Sequence, residues 1–205
     1  MKKCDFKGNH AEFNSWIAWY GEFIKRIIVS ERVIRTREEK KELIEAIVLR
    51  IACRCEVLIE EDIVASINRD SSAYARALNL RLRPHRTRDE CKAMVMGHRF
   101  LDFKSVGDVR SFGKRYLAST SNPFGAIPAA VGDVIDEFLT MRNLLAHYSD
   151  YSWRSYYGFM KKKYRYARVP EPGAFLISSD RRGYRWTKYL LAFLEASDKM
   201  LKAVM

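Results

Sequence analysis

Amphipathic runs at helical spacing alternate along this chain with short basic or proline-containing breaks. Trp16, Ile17, Trp19, Tyr20, Phe23, Ile24 and Ile27 predict a first helix over residues 10–29, capped by Asn9 or Asn14. A second pattern opens at Thr36, whose hydroxyl and Glu39 read as a capping box, and runs to about Asn68. Leu43, Ile44, Ile47, Val48, Ile51, Val57, Leu58, Val64 and Ile67 form its apolar face, and Glu38, Lys41, Glu42 and Glu45 its solvated face. Further helices are expected over 88–100 and 105–120, before Pro123, Gly125 and Pro128 interrupt the pattern. From Val131 to Tyr148 the apolar positions 131, 134, 135, 138, 141 and 145 make one stripe. Asp133, Asp136, Thr140, Asn143 and His147 make another on the far side. A loop through Pro170, Pro172 and Gly173, a short hairpin-like segment over 174–177 and a last helix over 184–204 complete the reading.

These elements predict an all-α antiparallel helical bundle forming one domain over residues 1–205, with the first helix packed on the bundle. A chain of 205 residues with 48% hydrophobic content can bury one sizeable core. There is no internal repeat, and no stretch reaches the length of a membrane span. Lys2 and Lys3 are followed by Asp5, Lys7, Asn9, His10 and Glu12, which does not read as a secretory leader.

Charge then narrows the function classes. A formal net charge of +12 and a pI of about 9.6 favour a polyanionic partner such as nucleic acid, against the plainer reading of a generally basic protein. Between Arg81 and Arg88 the cations surround Pro84, which makes this a basic connector: either a phosphate-gripping loop or a solvated charge run. Cys53 and Cys55 lie two apart on a helix and cannot clamp one metal. With Cys4 and Cys91 they read as reduced thiols of a cytoplasmic protein. His85 and His98 have no ligand spacing and read as ordinary surface or capping histidines.

The run Arg142-Asn143-Leu144-Leu145-Ala146-His147 carries the candidate chemistry. An imidazole can take a proton from a ribose 2′-hydroxyl, and a guanidinium can hold the charge that builds on a phosphodiester, so neither a metal nor a cofactor is called for. On an ideal helix Asn143 and His147 share a face, whereas Arg142 points about 140° away from His147. Arg142 also falls near the apolar stripe, where it needs a carboxylate or an interface to receive it. Downstream, Tyr151, Trp153, Tyr156, Tyr157, Phe159, Tyr164 and Tyr166 are interleaved with Arg154, Lys161, Lys162, Lys163, Arg165 and Arg168. Tyr148, Arg154, Lys161, Lys162, Lys163 and Arg165 are the candidate RNA contacts, since aromatic faces stack bases while cations follow the backbone. The competing reading puts half of the aromatics in the core.

The run, its Arg-Asn start, the preceding Asp136 and Glu137 and the helical setting resemble the Arg-x4–6-His motif of the HEPN superfamily. The resemblance covers roughly residues 130–150. It implies Arg142 and His147 as the catalytic pair, Asn143 as the polar residue beside them, Asp136 and Glu137 as supporting acids, and a cleft shared by two subunits of a homodimer. It also implies cleavage to a 2′,3′-cyclic phosphate and a 5′-hydroxyl by a toxin or antiviral abortive-infection effector, under an antitoxin or phage-encoded regulator. Ser149 stands where the branch paired with nucleotidyltransferase antitoxins has tyrosine, a departure from that branch. Three alternatives remain: an inactive dimer that binds nucleic acid or a partner protein, a helical regulator docking on an acidic partner, and a purely structural motif. In the last, Arg142 anchors an ion pair and His147 caps a helix C-terminus.

Overall fold

A computed structural model describes residues 5–29, 36–82, 86–97, 103–180 and 183–205. The architecture is an all-α helical bundle. Its helices are α1 (Phe6–Val29), α2 (Arg37–Arg69), α3 (Ser72–Ala77), α4 (Arg88–Gly97), α5 (Val106–Tyr116), α6 (Ala129–His147), α7 (Asp150–Tyr164), α8 (Pro172–Ile177) and α9 (Arg185–Val204). Two 3-10 turns, Ser119–Ser121 and Phe124–Ala126, lie between α5 and α6. A single strand pair among the described residues joins β1 (Ser179–Asp180) to β2 (Gly183–Tyr184), antiparallel, with Ser179 opposite Tyr184.

The long helix α2 starts at the expected capping box: Glu39 donates its N–H to Thr36 Oγ1 at 3.1 Å, and Thr36 donates its own to Glu39 Oε2 at 2.8 Å. It packs against α1, α4, α6 and α8. Lys40, near its start, donates to the Ile28 carbonyl near the end of α1, at 3.0 Å. His10, near the start of α1, meets Asp62 near the end of α2, at 3.0 Å. The two helices therefore run antiparallel. Helix α9 packs on α1, α6 and α8, and one continuous apolar cluster includes Ile17, Ile51, Phe124, Phe138, Met141, Tyr156, Phe175 and Phe193.

Several boundaries differ from the pattern-based reading. Helix α1 begins a turn before Asn9, whose N–H already bonds the Asp5 carbonyl at 3.1 Å, so neither Asn9 nor Asn14 caps it. Phe6 accounts for the earlier start, buried against Ala65 and Val204. Helix α5 stops at Tyr116, with Ser105 as its N-cap, because Leu117 turns extended to bury its side chain. The segment over 174–177 is the body of α8, and the hairpin lies just beyond it. Pro172 sits at the first helical turn, where a missing N–H costs nothing, and so starts the helix it was expected to prevent. Gly173 lets α8 approach α2: its N–H donates to Glu45 at 2.7 Å, and a Cβ there would meet the Lys41 carbonyl at 2.9 Å. Helices α3 and α7 are additions to the predicted set. Pro84, His85 and His98 lie outside the described residues.

Glu137 ties three helices together. Its carboxylate, fully buried on α6, accepts from Lys163 of α7 and Lys188 of α9 at 2.7 Å each, from Tyr164 at 2.5 Å and from Tyr189. Burial pushes the carboxyl up, but the four hydrogen bonds outweigh it and hold the acid below its ordinary range. Lys188 moves down instead, chiefly through desolvation, with the charges of Lys163 and Arg185 adding to the fall.

Glu137→Ala removes the acceptor shared by four donors, the buried Tyr189 hydroxyl among them, and is expected to cost about 3 kcal/mol in urea denaturation. Because the folded acid is depressed, its contribution is present above the ordinary value of 4.5 and is lost as pH falls through the folded value. Stability followed from pH 6 downward should therefore decline below about pH 4.5, and Glu137→Gln should flatten that part of the decline.

Candidate functional site

Arg142, Asn143 and His147 line one open groove of about 470 Å³ together with Lys104, Thr140, Ser149, Tyr151, Ser152 and Ser155. The last turns of α6 form one wall and the first turns of α7 the other. Between them the chain turns at Tyr148, which ends α6 in the left-handed region (φ 42°, ψ 33°) and returns its N–H to the Leu144 carbonyl at 2.9 Å. Ser149 starts α7 at once through a capping box with Ser152, at 3.2 Å and 3.0 Å. The groove is thus bounded by the negative end of one helix dipole, beside His147, and the positive end of the next, beside the three serines.

The guanidinium of Arg142 is held on two sides. Asn143 Oδ1 accepts from Nη1 at 3.0 Å, and Glu56 of α2 accepts from Nη2 in an ion pair. Glu56 is the carboxylate that an arginine beside an apolar stripe requires, and sequence reasoning does not find it because the register of α2 against α6 is not written in either helix. A guanidinium has five N–H donors; with two engaged, three remain to meet an anion. The His147 ring is exposed and has no hydrogen-bond partner among the described residues.

The proposed acids stand elsewhere. Asp136 accepts the Val106 N–H at 2.7 Å, one of the open donors in the first turn of α5, with burial raising its carboxyl. Glu137 is the buried tie described above and does not line the groove. Lys163 is committed to it, which separates this lysine from its exposed neighbours Lys161 and Lys162. Arg154, Tyr157, Lys161, Lys162 and Arg165 remain on the exposed side of α7 and its C-cap, with Lys161 over the Tyr157 ring at 4.6 Å. Tyr148 is exposed but leans toward acids: burial raises its hydroxyl pKa, and Glu45, Glu42 and Glu171 add to the rise. That neighbourhood suits a phosphate chain poorly.

The aromatics of the tract divide between roles. Tyr156 is fully buried, its hydroxyl donating to the Pro170 carbonyl at 2.8 Å, while Trp153, Phe159, Tyr164 and Tyr166 pack on the core. Tyr151, 82% exposed, is the ring that projects at the groove. Lys104, Ser152 and Ser155 join the groove without any signal in the sequence pattern. Among the described residues no group of three or more His, Cys, Asp or Glu side chains converges to hold a metal ion, and no helix is long and apolar enough to cross a membrane. In comparisons with known proteins, the chain matches no family model, no curated protein and no solved structure.

Proposed function

We propose that this chain is a metal-independent endoribonuclease acting as a homodimer. The observation that carries this reading is the convergence of Arg142, Asn143 and His147 on one open groove next to the basic, exposed side of α7. In the proposed reaction His147 accepts the proton of a ribose 2′-hydroxyl as that oxygen attacks the adjacent phosphorus. The bond to the 5′-oxygen breaks, leaving a 2′,3′-cyclic phosphate, and the departing oxygen takes a proton to become a 5′-hydroxyl. Free N–H groups of Arg142 stabilise the pentavalent phosphorane, with Glu56 and Asn143 orienting the guanidinium. A second copy of the groove across a twofold axis supplies a second imidazole as the acid. The HEPN resemblance supports a cytoplasmic toxin or antiviral abortive-infection effector, restrained by an antitoxin or phage-encoded regulator.

The ion pair between Arg142 and Glu56 favours one competing reading, in which the arginine is structural and the protein binds nucleic acid or a partner protein without cutting.

Purified protein incubated with mixed RNA in excess EDTA is expected to cut it to cyclic phosphate and 5′-hydroxyl ends. Arg142→Ala and His147→Ala should each lower the rate at least ~100-fold, the low end of what a positioned acid–base group contributes. No cleavage by the parent protein gives the case to the binding-only reading, and equal cleavage by the variants removes Arg142 and His147 from the reaction.

For binding alone, fluorescence anisotropy on a 2′-O-methylated, uncleavable oligonucleotide should show affinity falling steeply between 50 and 200 mM salt. Changing Arg154, Lys161 and Lys162 together to glutamine should weaken binding and reduce the log–log salt slope by about 0.7 for each phosphate that is no longer neutralised. An unchanged slope would remove the exposed side of α7 from the RNA surface.

A further inference from the structure

Helices α3 and α5 pack on one another, and their last turns bound a second open groove of about 440 Å³. Arg76 of α3 and Lys114 and Arg115 of α5 line it, with Ser119 of the 3-10 turn that follows α5. All three cations are exposed, and none of them makes an ion pair among the described residues. Two cations further along the chain from α3 are engaged instead, Arg86 with Glu90 and Arg88 with Glu61. Among the described residues no acid lines the groove. Asp70, which feels the charge of Arg76, stands outside its walls and accepts the Ser72 N–H at 2.9 Å.

A cation in the last turn of a helix meets the negative end of the dipole, worth up to about 1 kcal/mol at a surface. That accounts for each of these residues singly, but not for cations of two helices opening onto one groove, where like charges repel. An anion between them relieves the repulsion. Ala73 and Ala77, one helical turn apart on α3, line the groove with small side chains and leave it room, and Arg115 is held over the Tyr116 ring at 5.2 Å. A protein partner fits less well, because protein interfaces are anchored by aromatic side chains in packed pockets and no aromatic ring lines this groove.

Helix α5 also connects this groove with the one that holds Arg142. Lys104, two residues before α5, lines the Arg142 groove, and Lys114 and Arg115 lie in the last turn of the same helix. The 11 residues of α5 span about 16 Å, roughly five stacked nucleotides at about 3.4 Å each. We propose that the groove between α3 and α5 is a second contact for single-stranded RNA, taking backbone phosphates of a strand whose other part occupies the Arg142 groove. This contact rests on the RNA-binding part of the reading above and not on cleavage.

The test is fluorescence anisotropy with a labelled 2′-O-methylated 12-mer, which is uncleavable and long enough to reach both grooves. Changing Arg76, Lys114 and Arg115 together to glutamine is expected to weaken binding at least about tenfold at 100 mM salt and to lower the log–log salt slope by about 2, or 0.7 for each of three phosphates. An oligoglutamate of the same charge should displace the 12-mer only weakly. In the ¹⁵N-labelled parent protein the 12-mer should shift the amides of Ala77, Arg115 and Ser119, a readout that decides by itself should the triple variant fail to fold. Affinity and slope unchanged by this triple, while changing Arg154, Lys161 and Lys162 still weakens binding, would overturn the second contact and leave the RNA reading in place. No binding of the 12-mer by the parent protein would overturn both, and displacement by oligoglutamate at equal concentration would give the groove to an acidic protein instead.

Discussion

A single carboxylate determines how the second half of this chain is arranged. Glu137 points from α6 into the interior and is met there by a lysine and a tyrosine from α7 and by another of each from α9. Desolvating an acid is expensive, and only a full set of donors offsets it. Three helices must therefore reach one point together, which is a stronger constraint than apolar packing, where neighbouring registers differ little in energy. With the end of α7 drawn onto α6 in this way, its first turns form a wall of the groove that holds Arg142, Asn143 and His147.

This dependence also explains what is legible in the sequence. The all-α class, the capping box at Thr36 and the two stripes of α6 follow from local chemistry and periodicity, and each appears where the pattern predicts it. Glu137 does not follow. It precedes the Arg142 run by five residues and is adjacent to Asp136, which makes it look like part of one polar site. Its actual partners are 26 to 52 residues away in the chain. Lys163 is hard to single out for the same reason: three consecutive exposed lysines look equivalent until one of them pairs with a buried acid. Glu56 is the opposite case, since the need for a carboxylate near Arg142 is readable and its identity is not.

Proline and glycine mislead at α8. Both signal a break in isolation, yet Pro172 occupies the one helical turn that tolerates it and Gly173 answers a close approach from α2. The tract after Tyr148 reads by composition as a surface, and its helical period sorts it instead. Tyr156 and Met160 go to the core, while Arg154, Lys161 and Lys162 go to solvent. Charge is divided in the same way, with a basic side on α7 and an acidic neighbourhood of Glu42, Glu45 and Glu171 around Tyr148. A polyanion approaching the groove meets attraction from one flank and repulsion from the other, so the protein's field orients it before the two surfaces meet.

The corner between α6 and α7 has no linker to spare. Tyr148 alone reverses the chain, in a backbone region that residues with a β-carbon seldom occupy, and Ser149 is already the cap of the next helix. The groove is therefore set between two fixed points, the Tyr148 corner at the start of α7 and, at its far end, the tie of Lys163 and Tyr164 to Glu137. With α7 fastened at both ends, the groove is a preset opening and not a hinge, and whatever enters it meets walls already in place.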